Sequence, residues 1–355
     1  MLPNTIPFRP SLLKTWQTPL ILSAGLLLIA LVAQLAGSDT LGTTITEMMI
    51  RVVIVIGLYI FVGNSGVMSF GHIGFMCIGA YAAAWLTADP VFKQVMLSGL
   101  PTTLRDNQYP FAVAMIAAMV LPAGVAVCLG AAIMRLTGIA CSIATFAFLI
   151  IVNSVYSNWD SVTGGVSSIT GIPSVVGPWV SVAVSVLAVF VAFGFQVSRV
   201  GLMLKATRDD PVAAAASGVS LVRVRLIAFV LSGAVVGAGG GLYAHFLGVL
   251  TVDPFYLDLS FIAIAMLVVG GISSLSGAVT GVVSVTIIIE LLRALERGNG
   301  PFTLPAGSQE VGLGIVMALV LVIRPMGISN GREFILGLRK PKPHQQLQEI
   351  TAPTR

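Results

Sequence analysis

The chain has 355 residues, of which 56% are hydrophobic and 9% charged, and its mean hydropathy is +0.98. Soluble domains carry about 25% charged residues, so this composition excludes an ordinary water-soluble enzyme. The net charge of +5 invites a nucleic-acid reading, but the basic residues fall between apolar segments in a pattern that membrane topology explains.

Apolar segments run over 19–36, 48–63, 66–86, 111–134, 137–157, 176–197, 226–247, 258–272, 277–293 and 310–324. Lipid offers backbone groups no partner, so each is expected to be a helix. The fold class is all-α: a polytopic membrane protein of about ten helical segments, one or two of them broken or re-entrant, because a span needs about 20 residues. The organisation is a tail over 1–18, a transmembrane domain over 19–325 and a second tail over 326–355.

Arg9 and Lys14 precede the first run, Pro19 to Ala36. That run is longer than a signal-peptide core and no small-x-small cleavage site follows it, so it reads as an uncleaved helix. The next two segments meet at NSGVMSFGH, residues 64–72, a polar, Gly-rich stretch expected to break a helix or turn back toward protein or a wet path. Asn64, Ser65, Ser69 and His72 cluster there, and Asn153 with Ser154 lies near the outer end of a later span. Polar groups are costly in lipid and face the protein interior. These residues are therefore candidates for a translocation path, the alternative being hydrogen bonds to neighbouring helices.

Cys77, Cys128 and Cys141 sit in apolar runs without a CxxC pair and are expected to be small buried side chains. His72 and His245 are the histidines outside the tail, so no metal site is expected. Gly233, Gly237 and Gly241, then Gly277 and Gly281, repeat at the spacing that lets helix backbones approach closely. Arg51 and Arg293 fall near segment ends, and Glu290 with Arg293 and Arg297 reads as an interfacial charge group.

The segment over 198–225, SRVGLMLKATRDDPVAAAASGVSLVRVR, is the long loop on the basic side. Its middle reads as a short helix. Thr207 is its expected cap, Asp209 and Asp210 lie in the first turn, Pro211 near the start and Gly218 at the end. Placing 1–18, Arg135, 198–225 and 324–355 in the cytoplasm puts 14 of the 19 basic residues there, as the positive-inside rule requires. Both termini are then cytoplasmic.

Together with the following span, this loop resembles the permeases of the branched-chain amino acid ABC transporter family, most closely their M-type subunit. GLYIFVGNSGVMSFGHIGFMCIGAYAAAWL at 57–86, with Ser69, Gly71, His72 and Phe75, resembles the family's early span. TGGVSSITGIP at 163–173 resembles its external loop, and VVGGISSLSGAVTGVV at 268–283 resembles a late turn, with Ala278 where Pro is usual. The resemblance runs from about residue 45 to 325.

It implies a coupling element that docks on an ATPase, into which Arg208, Asp209, Asp210, Ala213, Ala214 and Gly218 fall. It also implies a homologous second permease, two cytoplasmic ATPases and an external solute-binding protein, in a bacterial inner membrane and without nucleic acid. No G-x-x-x-x-G-K-[ST] loop is present, so the phosphate cradle is missing. The chain is expected to be no enzyme and to bind no cofactor, with ATP and Mg on the partner subunits. Branched-chain or other hydrophobic amino acids are the implied cargo, and urea or short amides the alternative within the family. A self-sufficient secondary transporter, with Glu290 as its ionisable group, is the alternative outside it.

Overall fold

In the computed structural model the described residues are 16–296, 305, 307–324 and 326–334. They form fifteen helices: α1 Gln17–Leu35, α2 Asp39–Ser65, α3 His72–Thr87, α4 Pro90–Met96, α5 Thr102–Arg105, α6 Phe111–Ile133, α7 Ile139–Asn158, α8 Asp160–Thr163, α9 Pro178–Val197, α10 Arg199–Asp209, α11 Pro211–Ala216, α12 Leu221–Leu247, α13 Leu257–Gly270, α14 Leu275–Glu296 and α15 Ser308–Ile323. No strand occurs among the described residues beyond a single bridge between Ile169 and Leu250.

All ten apolar segments are helical, but the estimate of about ten spans is slightly high. Seven helices, α1, α2, α6, α7, α9, α12 and α14, are long and apolar enough to cross a membrane. An eighth is gained if α3 and α4, bent by 114° at their junction, count as one span. The physical reason is length. At about 1.5 Å per residue, the 16 residues of α3 and the 14 of α13 fall short of a hydrocarbon core of about 30 Å.

The interior is built on α12, which packs on α2, α3 and α6. Glycine permits this. A Cβ added at Gly79 would strike the backbone of Gly237, and one at Gly240 the carbonyl of Met76, so α3 and α12 cross backbone against backbone. Pro122 and Ala118 of α6 close on Gly237 from the other side. Gly270 and Gly281 make the same crossing between α13 and α14. The repeated glycines thus pack helices within the chain. By contrast α6 and α7 turn large apolar residues outward, among them Ile116, Val120, Ile143 and Ile151, as a lipid-facing surface requires.

The helix ends gather at two levels. One, the basic end, carries the 66–71 break, the turn at Gly138, α10, α11, the 271–274 turn and residues 326–334. Its basic residues are Arg135, Arg199, Lys205, Arg208, Arg223, Arg225, Arg324 and Arg332. The opposite end carries α4, α5, α8 and the 164–177 loop. There Asp89 N donates to Gly171 O at 3.1 Å, Gly99 N donates to Ser161 O at 2.8 Å, and Ile169 pairs with Leu250. Lys93 is buried at that end and donates to the carbonyls of Trp85, Leu104 and Asn107 at 3.2, 2.7 and 2.6 Å. Burial lowers its ammonium from the ordinary lysine value, opposed by Asp89 and Asp106.

Two expectations are corrected. Cys77 and Cys141 are buried, but Cys128 is exposed on α6, because that helix packs along one narrow stripe. Arg51 does not lie near a helix end. α2 begins at Asp39 rather than 48, so Arg51 sits well inside it, paired with Glu47 one turn away. Glu290 pairs with Arg293 at 2.8 Å, whereas Arg297 lies outside the described residues. The stretch 326–334 is docked against α13 and α14. Ile328 N and Ser329 N donate to Val269 O and Gly270 O at 2.9 and 3.0 Å. The Glu333 carboxylate receives Leu275 N, Ser276 N and Ser276 Oγ at the start of α14. The tails over 1–15 and 335–355 lie outside the described residues.

Candidate coupling segment and cavity

The segment after α9 folds as two helices rather than one. Ser198 opens α10, its Oγ accepting from Gly201 N at 3.1 Å. α10 then runs to Asp209, and Asp210 caps α11, its Oδ1 accepting from Val212 N at 2.9 Å and Ala213 N at 3.0 Å. The expected cap, Thr207, is buried inside α10 and donates to Leu204 O at 2.7 Å. The cause lies in Pro211. The residue before a proline is driven to extended backbone, and Asp210 sits at φ −150°, ψ 102°. The break therefore falls at Asp210.

α11 closes on Gly218, φ +84°. Gly218 N donates to Ala215 O and Val219 N to Ala214 O, both at 3.0 Å. This paired closure suits a residue in the left-handed region. Ala214 is buried against the body of the protein, whereas Val212, Ala213, Ala215 and Ala216 face outward. The outward face is small and apolar, and Val212 is 77% exposed.

Arg208 joins this segment to the helix break. Its Nη1 donates to Gly63 O at 2.7 Å, in the last turn of α2. A cation there also meets the negative end of the helix dipole. α2 stops at Gly66, φ +72°, whose N donates to Val62 O at 3.0 Å. The Arg208 stem lies over Gly66 so closely that a Cβ there would sit 2.9 Å from Cγ. Both the turn and the arginine require glycine at this position. Beside it, burial lowers the Lys205 ammonium from its ordinary value, with Glu333 opposing.

Between these parts lies a cavity of about 580 Å³. Ser65, Gly66, Thr207, Arg208, Pro211 and Arg225 line its polar side, and Val62, Val67, Val268 and Ile272 its apolar side. The sequence marked Arg225 only as one basic residue of the loop. The available signal was its position five residues into an apolar helix, where it is the one buried charged residue.

The path candidates separate. Ser65 lines the cavity, and its Oγ accepts from Val67 N at 3.2 Å. Asn64 is buried one residue earlier and donates to Tyr59 O and Ile60 O at 3.3 and 3.0 Å. Ser69 is buried in the break, with no hydrogen-bond partner for its hydroxyl. His72 lies among Phe61, Phe75 and Phe229, with ring centroids 5.7, 6.0 and 5.6 Å away, and neither ring nitrogen has a partner. Asn153 stands apart, half-buried on α7. It is eleven residues beyond Ser142, which donates to Met68 O at 2.7 Å, and that places it about 16 Å along the helix from the break. The structure thus brings Ser65 to the cavity beside the candidate coupling segment, buries Asn64 against its own helix, encloses His72, and leaves Asn153 remote.

Comparison with known proteins agrees over most of the length. Residues 40–323 match the family described as branched-chain amino acid transport system, permease component. Two relatives are named high-affinity branched-chain amino acid transport system permease protein LivM, from Salmonella typhimurium LT2 and Escherichia coli K12. Each is 26% identical over 317 residues, covering 80% of this chain and 68% of the relative. No solved structure matches the chain.

Proposed function

We propose, from the premise that this chain belongs to the branched-chain amino acid transport system permease family, that it is the pore-forming subunit of an ATP-driven importer for branched-chain or other hydrophobic amino acids. The basic end is the cytoplasmic end, in a bacterial inner membrane. The partners are a homologous second permease, two cytoplasmic ATPases and an external solute-binding protein. ATP and Mg belong to the ATPases, and this chain binds no cofactor of its own.

The observation that carries the reading is the outward face of α11, a small apolar surface presented by a capped, glycine-closed helix and linked through Arg208 to the end of α2. A soluble partner fits there. Its movement would pull on the break at Gly66 and shift α2 and α3 as rigid bodies, biasing access from one side to the other. Asn64, Ser65, Ser69 and His72, which line or adjoin that break, form the moving part of the path, and Asn153 belongs to its far end.

The test is uptake of radiolabelled leucine, isoleucine and valine by vesicles containing this chain with its partner subunits, with and without ATP inside. ATP-dependent accumulation supports the reading. Accumulation by this chain alone, driven by an ion gradient, would replace it with a secondary transporter.

A further inference from the structure

The cavity at the basic end carries more positive charge than its own protein neutralises. Arg208 and Arg225 both line it, and none of its lining residues is acidic. Arg225 is 7% exposed, and its Nε has no hydrogen-bond partner. Among the described residues no carboxylate forms an ion pair with it. A guanidinium cannot escape burial by losing its proton, so a buried one calls for an anion. The setting sharpens that need. Arg225 belongs to the opening of α12, which has neither an acidic residue in its first turn nor a side-chain cap, and helix N-termini add partial positive charge. Two acids of the same end are engaged elsewhere: Asp210 caps α11 and Glu333 holds the start of α14.

We infer that this cavity is a binding station for the carboxylate of the transported amino acid, with Arg225 as the principal partner and Arg208 as the second. The inference rests on the importer reading and deepens it. The volume of about 580 Å³ lies within the range of small-molecule sites, about 300–1,000 Å³. The guanidinium groups stand beside an apolar wall of Val62, Val67, Val268 and Ile272, which suits a carboxylate attached to a hydrocarbon side chain. A planar, two-oxygen anion also matches the fork of a guanidinium. Arg208 donates to Gly63 O through Nη1, and its other N–H groups remain to meet a carboxylate in the cavity.

The experiment uses the assembled transporter in phosphatidylcholine nanodiscs. Its thermal unfolding is followed while titrating L-leucine, isocaproate (carboxylate without ammonium) or isoamylamine (ammonium without carboxylate). Leucine and isocaproate raise the unfolding temperature saturably, and isoamylamine does not. Arg225→Gln weakens the apparent affinity by about tenfold or more, and Arg225→Lys retains most of it. Should Arg225→Gln fail to assemble, Arg208→Gln, at an exposed position, gives the second measurement and weakens affinity as well. An equal response to isoamylamine, or an unchanged response in the glutamine variants, overturns the inference. So does a response that appears only on adding phosphatidylglycerol, which would assign the cavity to a lipid headgroup. Leucine uptake measured in parallel separates the two readings. Uptake without an arginine-dependent shift defeats this inference alone, whereas an arginine-dependent shift without uptake defeats the importer reading and leaves the site standing.

Discussion

Arg208 Nη1 and the Gly63 carbonyl oxygen stand 2.7 Å apart, and this hydrogen bond ties the loop between α9 and α12 to the last turn of α2. It spans 145 residues of sequence and bridges the two parts that the proposed alternating-access motion moves together. A hydrogen bond to a charged donor is worth about 1.5–3 kcal/mol. Replacing Arg208 with Met is therefore expected to lower ATP-driven uptake by about tenfold to a hundredfold, while the ATPases still co-purify with the chain. Unchanged uptake would show that force reaches α2 by another route.

The two faces of α11 predict opposite phenotypes. Val212 points outward and Ala214 inward. Val212→Asp is expected to abolish co-purification of the ATPases and leave the melting temperature of the isolated chain unchanged. Ala214→Asp buries a charge and is expected to destabilise the chain itself, by about 3 kcal/mol or more. Thermal unfolding alongside pull-down separates the two. Equal loss of ATPase binding in both variants, with no loss of stability in either, would deny that α11 has an inner and an outer face.

The crossing of α3 and α12 has no room for a side chain. Gly79→Val and Gly240→Val each force backbones apart, and a cost of about 3 kcal/mol or more is expected. The measurement is the monodisperse yield after detergent extraction. Gly25→Ala and Gly124→Ala are the controls, because nothing lies within 4 Å of a Cβ at either position. They are expected to be extracted like the unaltered chain.

At the opposite end, Lys93 holds three carbonyls belonging to α3, α5 and the loop after α5. Lys93→Met keeps the stem and removes the donors from three partly buried carbonyls, at a cost of about 1–3 kcal/mol in all. Faster amide exchange over 88–110 is expected, with exchange in α12 unaffected. Uniform protection across both regions would mean that the carbonyls find other partners.

Much of the fold was legible in the sequence, because lipid imposes one solution on apolar runs. Without water to satisfy it, a backbone of that composition becomes a helix, and all ten apolar segments did so. Turn chemistry was legible where it depends on one residue alone. Gly218 ends α11 as expected because the left-handed conformation is open to glycine at little cost.

Other features needed the third dimension. Asp210 displaced Thr207 as the cap because Pro211 fixed where the chain straightens, a competition between neighbours that residue preferences do not rank. Arg51 and Cys128 were misplaced because an apolar run does not show where its helix begins or which stripe packs. Among the polar residues of the 64–72 stretch, only packing distinguished Ser65 on the cavity wall from His72 among three phenylalanines. Arg225 became a candidate partner for a carboxylate only once folding had set it beside Arg208 without an acid. By itself, the sequence determined that the chain is helical, membrane-spanning and basic at one end, since these follow from solvent preference along the chain. The tertiary structure decided which buried charges are left unpaired, since pairing depends on distances between residues remote in sequence.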